Sequence, residues 1–162
     1  MTEGKFTWTQ DMSVGVAILD EDHQILIQYL NDLIDACDDD NRGAVDSIFS
    51  GLVDYTEYHF KLEEQIMDVC GYRDLDAHKN RHVVLCDQLE KIRSQFLVNF
   101  DEETKMQVTE FLQLWLKEHI LHSDMDYAPS CAGKENEIAD IIDDLEKPAS
   151  YVQNIKETGI LV

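Results

Sequence analysis

No proline interrupts residues 1–128; the chain has two, Pro129 and Pro148. Proline breaks the hydrogen-bond ladder inside a helix, so this stretch is free to form long helices, and its apolar residues take helical spacing. After a candidate N-cap at Asp20 runs a stripe of His23, Leu26, Leu30, Leu33 and Cys37, three and four residues apart. A second stripe is Phe49, Leu52, Thr56, His59, Glu63, Ile66 and Cys70, closed by the candidate cap Gly71. A third follows Asp74 with Leu75, His78, His82, Leu85, Leu89, Ile92 and Phe96. "DEET" at 101–104 offers an N-cap and an acidic first turn for a fourth, Val108, Leu112, Trp115 and His119.

Four helices with one apolar face each and short connections predict an all-α, up-down-up-down four-helix bundle. It should occupy residues 1–128, with an extended N-terminal arm in which Val14, Val16 and Ile18 alternate. Residues 129–162 form a C-terminal extension, acidic and partly helical, with one amphipathic pattern at Ile138, Ile141, Ile142 and Leu145 and a second, weaker one beyond it. The extension is expected to fold back on the bundle or stay solvated in preference to docking a protein partner, although its amphipathic segment is a candidate surface for one.

Charge and cysteine content narrow the function. A net charge of −21 opposes binding to nucleic acid or to an anionic membrane surface. No run of apolar residues is long enough to insert in a membrane, and the N-terminus has neither a basic region nor an apolar core of signal type. A cytoplasmic protein is expected. Cys37, Cys70, Cys86 and Cys131 are scattered, without a CxxC pair, and read as reduced packing residues.

The histidines carry the chemistry. His23, His59, His78, His82 and His119 all fall on the stripes that should face the core, and Glu63 falls with them. One core histidine is ordinarily a hydrogen-bonded packing residue. Five with a carboxylate are costly to bury unless something satisfies them, and metal coordination does so efficiently. His78 with His82, and His59 with Glu63, are i,i+4 pairs on one helix face. Five imidazoles exceed the needs of a structural zinc, and no HExxH is present. Two carboxylate-bridged ions would use them all, and an imidazole-rich, thiolate-free set suits iron better than magnesium or calcium. No glutamate stands three residues before any of the histidines, which disfavours the ferritin-like arrangement.

With "DEDH" at His23, HxxxE at His59 and Glu63, HxxxH at His78 and His82, and HxxxxD at His119 and Asp124, the sequence resembles the hemerythrin family in its bacterial single-domain form. The resemblance runs from about Trp8 to Tyr127 and leaves the tail unexplained. It implies a cofactor of two non-haem iron ions, Fe2+ or Fe3+, with an oxo or hydroxo bridge. His78, His82 and His119 would hold one ion and His23 and His59 the other, with Glu63 and Asp124 bridging. Dioxygen would bind on the second ion.

In "HILHSD" (119–124) periodicity and chemistry disagree. His122, at i+3 from His119, stays near the stripe, whereas Asp124 at i+5 lies about 140° around a regular helix. An imidazole offers one lone pair to one metal, but a carboxylate spans two. Asp126 is on the right face but roughly 10 Å further along the axis. The family pattern selects Asp124, which can reach if the last turn widens toward i→i+5 winding. His122 is then expected outside the ligand set.

The resemblance also matches Leu26, Phe60, Trp115, Leu116 and Ile120 to an apolar oxygen pocket, and Tyr127 to a position near the end of the fourth helix. All five pocket positions also read as ordinary bundle packing. Reversible binding of dioxygen, for transport, storage or delivery, is the expected function, without enzymatic activity. The alternatives are an oxygen or redox sensor acting through a partner, and a di-iron enzyme such as a peroxidase or nitric oxide reductase. The pocket's lack of an acid or base weighs against the enzyme.

Overall fold

The computed structural model describes residues 4–145 and consists of four long helices, α1 (Ala17–Asp38), α2 (Arg42–Val69), α3 (Leu75–Val98) and α4 (Glu102–Glu118). A π-helical turn continues α4 over His119–Asp124, and two short helices follow, α5 (Ala128–Cys131) and α6 (Glu135–Ile142). The four long helices form the expected bundle.

Helix ends are set by local chemistry. The Asn41 side chain accepts the Ala44 N–H at 3.1 Å to start α2, and Asp101 accepts that of Thr104 at 2.8 Å to start α4. At the end of α2, Gly71 takes φ +71°, its N–H donates to Asp68 O, and the Tyr72 N–H donates to Met67 O. Those paired bonds are a Schellman closure, and the left-handed residue in it is the glycine the sequence offers.

One expected boundary is wrong. α1 begins at Ala17, so Ile18 belongs to the helix and not to the arm. Asp20, read as the N-cap, sits one turn inside and accepts the Ser13 hydroxyl at 2.5 Å and the Val14 N–H at 2.8 Å. It fastens the arm to the helix, a capping chemistry applied across a bend. The arm carries a short 3-10 turn, Gln10–Met12, and buries Met12, Val14 and Val16.

Two apolar clusters fill the interior. The larger joins Leu26, Leu30, Leu33, Phe49, Leu52, Phe96, Leu112 and Leu116 with their neighbours. The smaller gathers Val14, Leu19, Leu62, Ile66, Met67, Tyr127, Cys131 and Ile138. The histidine stripe falls at their junction: His23 lies between Leu19 and Leu26 on α1, and Asp124 between Ile120 and Tyr127. Dry packing therefore closes the polar cluster from both ends.

The extension is packed as far as Leu145. α5 and α6 lie on α2, Ile138 is buried, and Ile141, Ile142 and Leu145 pack against the smaller cluster. The amphipathic face offered to a partner is thus turned toward the bundle. The second pattern in the tail lies outside the described residues.

Candidate metal centre

α2 and α3 each deliver an i,i+4 pair of polar residues, α1 a single one, and the end of α4 a pair five residues apart. α1 gives His23, α2 gives His59 and Glu63, α3 gives His78 and His82, and α4 with the π turn gives His119 and Asp124. All seven are buried. Their ligand atoms fall into two groups, each within 4.8 Å: Glu63, His78, His82, His119 and Asp124 in one, and His23, His59, Glu63 and Asp124 in the other.

The two carboxylates belong to both groups, and each divides its oxygens between them. Glu63 Oε1 is 3.8 Å from His59 Nε2, while its Oε2 is 3.0 Å from His82 Nε2 and 3.6 Å from His78 Nε2. Asp124 Oδ2 is 3.1 Å from His23 Nε2, while its Oδ1 is 3.1 Å from His119 Nε2 and 3.4 Å from His78 Nε2. This is the placement that a bridge between two ions requires.

Nothing in the protein satisfies these atoms. The Nε2 atoms of all five histidines, Glu63 Oε2 and both oxygens of Asp124 are buried without an aligned hydrogen bond. Eight orphaned polar atoms converging in one dry interior would be prohibitively costly for a mere packing motif. The donor set, five imidazole nitrogens and two shared carboxylates with no thiolate, fits a pair of iron ions.

The outer edges of the rings are held. His59 Nδ1 lies 3.2 Å from Asp22 Oδ2, and the Tyr55 hydroxyl donates to Asp22 Oδ1 at 2.6 Å. His82 Nδ1 lies 2.7 Å from Glu64 Oε1. A carboxylate at Nδ1 makes that nitrogen the donor and turns the Nε2 lone pair inward. The Tyr127 hydroxyl donates to Glu63 Oε1 at 2.6 Å, which fixes the carboxylate's rotation. Burial and the adjacent carboxylates hold the Tyr127 phenol well above its ordinary pKa, so it remains a donor.

Charge is shared within the cluster. Burial works against charging His59 and His78, but the facing carboxylates outweigh it and raise both imidazoles to about 9. Burial and mutual repulsion work against charging Glu63 and Asp124, yet the surrounding imidazoles hold both carboxyls below their usual range. A cation entering such a cluster displaces protons from histidine onto solvent.

The π turn resolves "HILHSD". Its wider winding brings Asp124 to the same interior as His119, and the His122 side chain is 72% exposed, 3.2 Å from Glu118. Leu26, Phe60, Trp115, Leu116 and Ile120 are all buried in the larger apolar cluster. Phe60 stacks on His82 with centroids 3.7 Å apart, and Trp115 lies parallel to His119 at 6.2 Å. Asp22, Tyr55 and Glu64 escaped the sequence reading. The signal was present for the two acids, each adjacent in sequence to another site residue.

The comparisons agree with this geometry. The model of the hemerythrin HHE cation binding domain matches residues 14–131. A bacteriohemerythrin of Stenotrophomonas maltophilia is 32% identical over 132 residues, covering 82% of this chain and 85% of the relative. A myohemerythrin of Theromyzon tessulatum is 30% identical over 122 residues, covering 75% and 90%. A crystal structure of wild-type hemerythrin superposes with a TM-score of 0.73 at 30% identity, covering 80% of this chain and all of the other. With the domain model spanning most of its length and the seven-residue cluster in place, this chain belongs to the hemerythrin family.

Proposed function

We propose that the protein binds dioxygen reversibly at a non-haem di-iron centre, as a cytoplasmic carrier, store or delivery protein and not as an enzyme. The observation that carries this reading is the pair of shared carboxylates, each dividing its oxygens between a five-donor and a four-donor group. His78, His82 and His119 would hold one iron and His23 and His59 the other, with Glu63 and Asp124 shared between them alongside an oxo or hydroxo group. With one donor fewer, the His23–His59 side has room for an exogenous ligand. When bound, the two irons would supply the two electrons that dioxygen borrows and returns.

The rest is the work of the chain. Asp22, itself held by Tyr55, orients His59, and Tyr127 orients Glu63. Leu26, Phe60, Leu116 and Ile120, none more than 3% exposed, exclude water and present no acid or base to a substrate. Binding without onward chemistry is what such a lining favours.

Iron analysis and visible spectra of the purified protein, cycled between reduced anaerobic and aerated buffer, test the reading. About two irons per chain and a colour change reversed by deoxygenation are expected. Zinc in place of iron, or oxidation without a reversible step, overturns the carrier. Rapid turnover of peroxide or nitric oxide makes the protein an enzyme.

A further inference from the structure

Two of the four cysteines lie in one apolar cluster. Cys70 ends α2, Cys131 ends α5, and both are buried in the smaller apolar cluster, 8% and 5% exposed. Both are free thiols, and they share that one dry cluster at the ends of two helices in contact. A second tie joins the same two segments. Tyr127, one turn before Cys131, donates to Glu63, two turns before Cys70. The two cysteines therefore sit on segments held together by the packing of α5 on α2 and by that bond. Cys37 lies in the other apolar cluster, and Cys86 is a half-buried residue of α3.

One member of the pair is reachable. Cys131 borders a surface cavity of about 500 Å³ between the N-terminal arm and the extension, lined by Val14, Val16, Ile18, Ala128 and Ile138 among others. A small neutral oxidant can enter such a cavity, whereas a bulky disulfide reagent cannot reach the buried sulfurs. Burial and the neighbouring Cys70 raise the Cys131 thiol well above its ordinary pKa. The thiolate is the reactive form, so the pair stays reduced against casual exposure and reacts slowly.

We propose that Cys70 and Cys131 are a redox pair that closes reversibly to an intramolecular disulfide, with hydrogen peroxide as the oxidant. One sulfur, losing its proton, attacks a peroxide oxygen; the O–O bond breaks, water leaves, and a sulfenic acid remains. The second sulfur displaces the hydroxyl as a second water. Two thiols and one peroxide thus give one disulfide and two waters, with two electrons passing from sulfur to oxygen. The bond would lock α5 to the end of α2 and so clamp the segment that carries Tyr127 and its hold on Glu63. It does not depend on which metal the histidine cluster binds.

The test is peroxide titration of the full-length, metal-loaded protein, followed by thiol counting and peptide mapping under non-reducing conditions. Two of the four thiols should disappear together, and a Cys70–Cys131 linked peptide lacking two hydrogens should appear and revert with dithiothreitol. The linked protein should melt roughly 5–10 °C higher than the reduced one, because the bond closes a long loop. Cys70→Ser and Cys131→Ser should each abolish the link, and Cys86→Ser should leave it. Loss confined to Cys86, sulfinic or sulfonic acid at either site without a link, a link between chains, or four surviving thiols would each overturn the proposal.

Discussion

On the α1–α2 side of the cluster, His23 and His59 are sealed at 0% and 1% exposure, and α1 alone buries thirteen residues. On the α3–α4 side, α3 buries four, its Val83 and Val84 are more than half exposed, and His119 borders an open groove of about 530 Å³ with Arg81, Leu85 and Trp115. The side with more donors is the thinner wall, and the side with fewer is the dry one. An ion with a free position is vulnerable to water, which promotes loss of bound oxygen as an oxidised product, whereas a fully ligated ion tolerates a nearby solvent surface. The bundle thus puts its best packing where the proposed chemistry is most easily spoiled.

The residues common to both sides are where the contrast breaks most completely. Asp124→Ala removes an oxygen from each group at once, takes from His23 and His119 the carboxylate they face, and leaves His78 with Glu63 alone. Iron should fall from about two per chain to well under one, measured by elemental analysis after desalting. Two irons retained in this variant would mean that the groups are independent sites and that Asp124 bridges nothing.

Next come the carboxylates behind the rings, one on each side. Asp22→Asn weakens the buried hold on His59 Nδ1, and Glu64→Gln the corresponding hold on His82 Nδ1, where Glu64 is 24% exposed. The Asn variant should weaken retention of the second iron about 10–100-fold in a chelator competition, within the range for such partners. The Gln variant should cost less, since water can replace part of the lost interaction. Equal losses would show that burial does not separate the two sides.

Much of the buried cluster was legible because i,i+4 spacing writes it directly: His59 with Glu63 and His78 with His82 need only regular helix to meet. Asp124 was legible only through chemistry, since periodicity pointed to His122 until the π turn was granted. Asp22 and Glu64 were hidden by composition. In a chain with 34 acidic residues, a carboxylate next to a site residue is unremarkable until its burial and its partner are seen. The start of α1 was misread because Val14, Gly15 and Val16 alternate like a strand and Asp20 has the chemistry of a cap, which it spends on the arm.

The apolar lining can be loosened without touching a ligand. Leu116 is 2% exposed in the larger cluster, one turn before His119. Leu116→Ala should keep iron, lose about 2–5 kcal/mol of stability, and let the oxygenated form decay to the ferric state several-fold faster, followed by stopped-flow absorbance. Unchanged decay would assign the barrier to water to other residues.

The smallest effect is expected at His122, and it sharpens the contrast by what it leaves alone. Its ring points to solvent, its visible partner is Glu118, and it lines the groove of the open side. An exposed i,i+4 ion pair contributes about 0–0.5 kcal/mol. His122→Ala should therefore keep full iron loading and the reversible colour change, with a melting temperature within about 1–2 °C of the parent. The π turn should survive too, because Asp124 stays inside with its imidazole partners whatever occupies position 122. Loss of iron in His122→Ala, set beside retention in Asp124→Ala, would return the ligand role to the residue that helical periodicity favours. It would also make the widened turn an accident of packing and not the device that bridges the two sides.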